Sequence, residues 1–461
     1  MIHHTPSTQP CLPNDKKGQP MIAFLQEMLT LSCSHDSRAK RGRGRPATFC
    51  LQQLWLGVLI GILQQASSLR QIWRLLTCDA LGSFPMLLVT YEGMRDRLLS
   101  AGTEPLQALF EEISAHLRER ALARPSSALP LAPFASQVVA LDETTFDKLK
   151  RLTSDLREVA PTDAAHLQPG KLAGLFDLRA QQWIRLQFRA DVLAGCNTGI
   201  LLLLEGLQRG SLILADLGYF AFPWFDYLTQ QGYFWISRLK ERTTYTIEQV
   251  FYQDEANGVL DALIGLGANR SDRTANAVRL VQFPVQGVLH SYLTNVLDPQ
   301  QLPMLEIAQL YARRWDIELA FKTLKREVGV ALWWGANCTM VLVQLWIALI
   351  LAQLLHALQV EVALQAEVET YDVSMHLLVE LLTITPPQPQ PLIVYLAERG
   401  RFLGLIRPNR RIKIAVPARE PEHICSQFQG EPPPRRARYA QRNGHPRKTV
   451  FSSRFTSHFL L

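Results

Sequence analysis

From Gln137 the hydrophobic pattern of this chain changes period, and that change constrains the fold more than any other feature. QVVALDETTF (Gln137–Phe146), KLAGLFDL (Lys171–Leu178) and WIRLQFRADV (Trp183–Val192) are strand-length runs with β-branched and aromatic residues. NTGILLLLEGL (Asn197–Leu207) reads as helix. SLILADLGYF (Ser211–Phe220) is an apolar run ending in a turn signal, as a buried strand does. FPWFDYLTQQG reads as a short helix and YFWISRL (Tyr233–Leu239) as another strand. Three strands, a helix, a strand, a helix and a strand call for an α/β fold with a mixed sheet flanked by helices.

The chain has 461 residues, enough for more than one domain. Residues 1–49 read as a polar, basic arm that includes KRGRGRP (Lys40–Pro46). Residues 50–124 read as an all-helical domain, expected to bind DNA or else to serve only packing or dimerisation. There SSLRQIWRLL offers Ser68 as an N-cap with Gln71 three residues on, and VTYEGMRDRLL reads as a short amphipathic helix. The α/β region spans 134–365, with 240–302 as an inserted β-rich subdomain carrying AVRLVQF and HSYLTNVL. Pro303 then opens a long helix. TITPPQPQPLI (Thr383–Ile393) marks a further boundary. Residues 366–461 form a helical and basic tail region, in which PPPRRARYAQRNGHPRKT has no acidic residue.

A net charge of +7 favours a polyanion partner such as nucleic acid. The seven cysteines are scattered without zinc spacing, which suits a reducing cytosol. The first residues do not read as a signal peptide. LQQLWLGVLIGIL is too short to span a bilayer. VLVQLWIALILAQLLHALQV (Val341–Val360) is long enough, but Gln344, Gln353, His356 and Gln359 interrupt it, so a buried helix in a large core is expected and no membrane partner.

The long helix carries YARRWDIELAFKTLK (Tyr311–Lys325). At about 100° per residue, Tyr311, Arg314, Glu318 and Lys325 fall within an arc of about 60°. Leu310, Ile317, Phe321, Leu324 and Val328 form the adjoining apolar stripe, which docks on the core. The same charges also fit a solvated face with ordinary helix ion pairs. A lone Glu318 binds a divalent metal poorly, because hard cations want several oxygen ligands. Two further carboxylates end buried strands: Asp142 after VVAL and Asp216 after LILA. Each also fits a bland role, Asp216 in an Asx turn towards Gly218 and Asp142 at a strand end. Together with Glu318 they make a three-carboxylate set of the kind that holds two Mg²⁺ ions for in-line phosphoryl displacement. Arg314 and Lys325 would then hold phosphates, and Tyr311 would donate to a phosphate or stack on a base.

The set Asp142, Asp216 and Glu318, with Tyr311-x2-Arg314-x3-Glu318-x6-Lys325, resembles the DDE transposases of bacterial insertion sequences, in the group with the Y-R-E-K signature (the insertion sequence four family). ADLGYF resembles that family's second-aspartate motif, and YFWISRLK and LTNVLDP its usual phrases; the likeness covers about residues 137–360. It implies a ribonuclease H-like catalytic core interrupted by a β-rich insertion where 240–302 lies. It also implies cleavage of double-stranded DNA at element ends, with two Mg²⁺ or Mn²⁺ ions per site. Strand transfer by the freed 3′-hydroxyl to target DNA would follow, inside a homodimer. Such an enzyme works in the cytoplasm at the nucleoid. Where some members place a base-stabilising tryptophan, this sequence has His290, with Tyr292 nearby; either ring could stack on DNA or serve a strand pair. Arg43 and Arg45 in RGRGRP resemble a minor-groove hook, and equally suit a flexible basic linker. Two alternatives stand beside transposition: a decayed or repurposed transposase that only binds DNA, and a site-specific nuclease on the same core.

Overall fold

The computed structural model describes residues 18–32, 50–81, 83–122, 131–145, 171–189, 196, 199–267, 273–329, 333–335, 337–408 and 458–460. Arg43, Arg45 and the basic tail lie outside them. Five helices come first: α1 (Gln19–Ser32), α2 (Leu51–Leu63), α3 (Leu69–Cys78), α4 (Tyr91–Ala101) and α5 (Glu104–Leu122). Ser68 caps α3 by accepting from the Gln71 N–H at 3.2 Å, while Gln71 Oε1 returns to the N–H of Ser67 at 2.9 Å, one residue before the usual capping-box position. Then follow β1 (Val138–Thr145), β2 (Lys171–Asp177), β3 (Gln182–Arg189), α6 (Ile200–Leu204), β4 (Leu212–Ala215), α7 (Phe222–Gln230) and β5 (Phe234–Arg238). Four more strands come next: β6 (Tyr245–Asp254), β7 (Val259–Leu266), β8 (Val278–Val285) and β9 (Val288–Thr294). The chain continues with α8 (Met304–Arg313), α9 (Trp315–Lys322), α10 (Cys338–Gln365), α11 (Met375–Ile384), α12 (Leu392–Arg399) and β10 (His458–Leu460).

The described residues form two units. A helical unit contains those up to Leu117 and those from Thr323 to Pro408; a sheet unit contains those from Arg118 to Lys322 and β10. In the helical unit α10 is the core. Its apolar window is wholly buried, the reading expected of Val341–Val360. The polar interruptions are satisfied inside: Gln353 Nε2 donates to Ser114 Oγ at 2.8 Å, Gln359 Nε2 to the Val373 carbonyl at 2.7 Å, and Gln344 Oε1 accepts from the Trp334 N–H at 2.9 Å. By packing, α10 groups with the N-terminal helices, because its all-round apolar surface needs helices on every side. TITPPQPQPLI is likewise a link between α11 and α12, both packed on α10, rather than a domain boundary.

The sheet unit holds one mixed sheet in the order β10-β3-β2-β1-β4-β5-β9-β8-β7-β6. β1 pairs parallel with β4, and β4 parallel with β5; the other pairs are antiparallel. The order β3-β2-β1-β4-β5 is consistent with a ribonuclease H-like core. The insertion is β-rich as expected, but it is not a separate subdomain. β9 pairs with β5, so the four inserted strands extend the same sheet. A fully buried ion pair locks them. Arg279 Nε and Nη2 meet the Asp261 carboxylate at 2.7 and 2.6 Å, and Nη1 donates to the Leu302 carbonyl just before α8.

Alternation along the central strands sorts their faces. Val139, Leu141, Ile213 and Ala215 join the core shared with α6 and α7. Ala140, Asp142 and Leu214 therefore point to the other face, which α9 covers at β1 and β2. Phe321 of α9 seats on Trp183 with ring centroids 4.8 Å apart, and Trp183 lies against Phe176 at 5.1 Å. The ring of Trp183 crosses β2 at Gly174, where any Cβ would lie 2.9 Å from it, so glycine is required there. Buried Asp316 fixes the start of α9 by meeting Arg313 Nε at 3.0 Å and Gln181 Nε2 at 2.9 Å.

Candidate active site

Register brings the first two carboxylates together. β1 and β4 run parallel with Leu141 opposite Ala215 as their last pair, so Asp142 and Asp216 both follow directly where the β1–β4 ladder ends. Asp142 Oδ1 accepts from the Glu143 N–H at 2.8 Å. The Glu143 side chain is anchored by Lys171 at 2.9 Å and fully buried Arg189 at 3.2 Å, which pins the strand end. Asp216 begins a 3-10 turn, Leu217–Tyr219, without a side-chain capping bond, so its carboxylate is not spent on an Asx turn.

The helix brings the third. Arg314 interrupts it between α8 and α9, keeping helical dihedrals but bonding its N–H to the Tyr311 carbonyl at 3.1 Å. From there Nη2 meets Glu318 Oε1 at 2.8 Å and Nη1 meets Asp142 Oδ2 at 3.5 Å. Asp142 is pushed up to about 6 by burial, opposed by the Glu143 N–H and Arg314, and reinforced by the nearby charges of Glu318 and Asp216. The three carboxylates thus feel one another around one guanidinium. Tyr311 lies beside them with its hydroxyl buried and without a hydrogen-bond partner among the described residues, its pKa pushed up to about 12 by burial.

Residues 133–354 match the family model described as Transposase DDE domain. This region is similar to DDE transposase domains. One relative, "Putative transposase y4zB" of Sinorhizobium fredii, is 24% identical over 154 residues, which cover 32% of this chain and 43% of that protein. The chain thus aligns with less than half of that relative's length.

DDE transposase domains imply divalent metal. The donors here suit it in kind, since three carboxylates supply the hard oxygens that Mg²⁺ and Mn²⁺ prefer. The raised pKa of Asp142 comes chiefly from burial, with smaller contributions from the charges of Glu318 and Asp216 that place both near it. Among the described residues no group of three His, Cys, Asp or Glu stands close enough to form a ready-made metal cage. The geometry is that of carboxylates bridged by an arginine.

The other expected residues of the DDE domain fall in different places. His290 and Tyr292 lie on β9. His290 stacks on its strand partner Phe283 at 6.1 Å, and burial and Arg238 lower its pKa. Tyr292 is buried, 5.3 Å from Tyr311 between ring centroids, so it supports Tyr311 by packing. Regular α-helix stops at Lys322. Thr323–Glu327, which includes Lys325, winds as a π-helical turn and belongs to the helical unit.

Two residues were missed from sequence. β5 runs parallel to β4 with Leu214 opposite Ile236, which sets Arg238 beside Asp216 in the same row. Arg238 is exposed, and its charge reaches both Tyr292 and Tyr311. A charge ending a strand beside an acidic one was the available signal. Trp315 is 50% exposed, with its ring 5.7 Å from the Arg314 guanidinium. It sits inside the motif itself, yet a helical pattern alone marks an aromatic there as core.

Proposed function

We propose that this chain is an insertion-sequence transposase of the Y-R-E-K group. It would cut double-stranded DNA at element ends by metal-dependent phosphodiester hydrolysis and join the freed 3′-hydroxyl to target DNA. The observation that carries this reading is the convergence of Asp142, Asp216 and Glu318 on one face of the sheet, around Arg314. Those carboxylates would hold two divalent ions, Mg²⁺ or Mn²⁺. When bound, the ions supply activation of the attacking oxygen and stabilisation of the leaving oxygen.

The chain's own groups do the remaining work. Arg314 offers a planar fork to a phosphate and Lys325 a point charge. The orphaned Tyr311 hydroxyl is a donor waiting for an acceptor, and a DNA phosphate oxygen is one. Exposed Arg238 adds a cation in line with the aspartates. Arg43, Arg45 and the basic tail add sequence-independent attraction to DNA. Action on element ends and target in a cytoplasmic, nucleoid-bound homodimer completes the reading.

The test uses duplex oligonucleotides copied from the DNA flanking the gene. In Mg²⁺ the wild type cuts them, while Asp142→Asn, Asp216→Asn and Glu318→Gln do not. Wild-type cleavage by all three variants would falsify the assignment. A target plasmid separates the alternatives: joined products mark a transposase, cut ends alone a nuclease, and binding without cutting a DNA-binding remnant.

A further inference from the structure

Arg314 stands where a cation is wanted rather than where an arginine would greet DNA. Its side chain is 8% exposed, with Nη2 2.8 Å from Glu318 and Nη1 3.5 Å from Asp142. Asp216 also lies within its electrostatic reach. A guanidinium held this way takes up carboxylate lone pairs that a divalent ion would need, and both its terminal nitrogens are engaged by carboxylates. Resting on the metal reading above, we propose that Arg314 is the resident counter-ion of Asp142, Asp216 and Glu318 in the DNA-free protein, and that it exchanges them for a DNA phosphate as metal enters.

The surroundings suit that exchange. The guanidinium carbon lies 5.8 Å from the centre of the Tyr311 ring and 5.7 Å from that of Trp315. Trp315 is half-exposed, so an aromatic face that can hold a cation leads from the buried pair to solvent. Without DNA, an entering metal must displace the guanidinium and leave it without an anionic partner. With DNA, a phosphate becomes that partner. One residue therefore couples two ligands, and each must raise affinity for the other by the same factor.

The test measures Mn²⁺ binding to the full chain by calorimetry, with no turnover involved. Without DNA, Arg314→Gln is expected to bind Mn²⁺ about tenfold tighter than wild type, within the usual range of coupling between sites. Arg314→Lys, a point charge that cannot bridge two carboxylates, should fall between them, and circular dichroism checks that both variants fold. Adding a duplex copied from the gene-flanking DNA should tighten Mn²⁺ binding to wild type but not to Arg314→Gln. Equal or weaker Mn²⁺ binding by folded Arg314→Gln and Arg314→Lys overturns the counter-ion role and leaves the metal reading standing. Binding that survives in Asp142→Asn and Glu318→Gln, or is absent from every protein, overturns both.

Discussion

Asp142→Asn should stabilise the metal-free protein while abolishing cleavage. The wild-type carboxyl ionises at about 6 instead of 3.8 because the fold buries it beside Glu318 and Asp216. A carboxyl whose pKa is raised binds its proton more tightly in the folded state than in the unfolded chain. Its favourable contribution is complete below 3.8 and is lost as pH rises through about 6. A shift of that size, on a side chain only 17% exposed, corresponds to about 3 kcal/mol of penalty for the ionised form at about pH 8. Asparagine keeps the shape and the bond from the Glu143 N–H, and gives up attraction to Arg314, which retains Glu318. The net gain at about pH 8 is therefore about 1–3 kcal/mol, or a rise of several degrees in Tm. Urea and thermal unfolding of both proteins in a chelator, at about pH 8 and about pH 4, measure it. The advantage of asparagine should shrink by about 3 kcal/mol at the acid end. Adding Mg²⁺ at high pH should also close the gap by stabilising wild type alone. A gap independent of pH, or an asparagine variant less stable than wild type at high pH, would refute the reasoning.

Other perturbations follow from the same geometry. Gly174→Ala drives a methyl into Trp183 and should cost about 1–3 kcal/mol, read as a lower urea midpoint. Asp261→Ala leaves buried Arg279 without its carboxylate and should cost about 3–5 kcal/mol, whereas replacing both residues by apolar ones should recover much of it. His356 is fully buried and ionises only at about 4, so the fold holds it neutral. The stability it contributes is complete above 6.5 and is lost as pH falls towards 4, by about 3 kcal/mol. His356→Leu should flatten that part of the acid-denaturation curve.

The sequence by itself settled the local elements. Apolar runs of strand length placed β1, β2, β3, β4 and β5, because a strand's pattern is written in its own residues. The capping residue Ser68 and the opening Pro303 placed two helix starts for the same reason. The polar interruptions in Val341–Val360 told of a buried helix, since each needs a partner within protein. Spacing also nominated Asp142, Asp216, Tyr311, Arg314 and Glu318, of which Arg314 lies 3.5 Å from Asp142 and 2.8 Å from Glu318. Only tertiary structure decided the rest, because register and packing depend on residues far apart in the chain. Register set Arg238 beside Asp216 and joined the inserted strands to the edge of β5. Packing placed α10 among the N-terminal helices. The π-helical turn at Thr323–Glu327 departs from the uniform period that sequence must assume. The bridge from Arg314 to Asp142 and Glu318 belongs to the same class: the motif names its members, but a sheet, a helix and their burial decide which charge faces which.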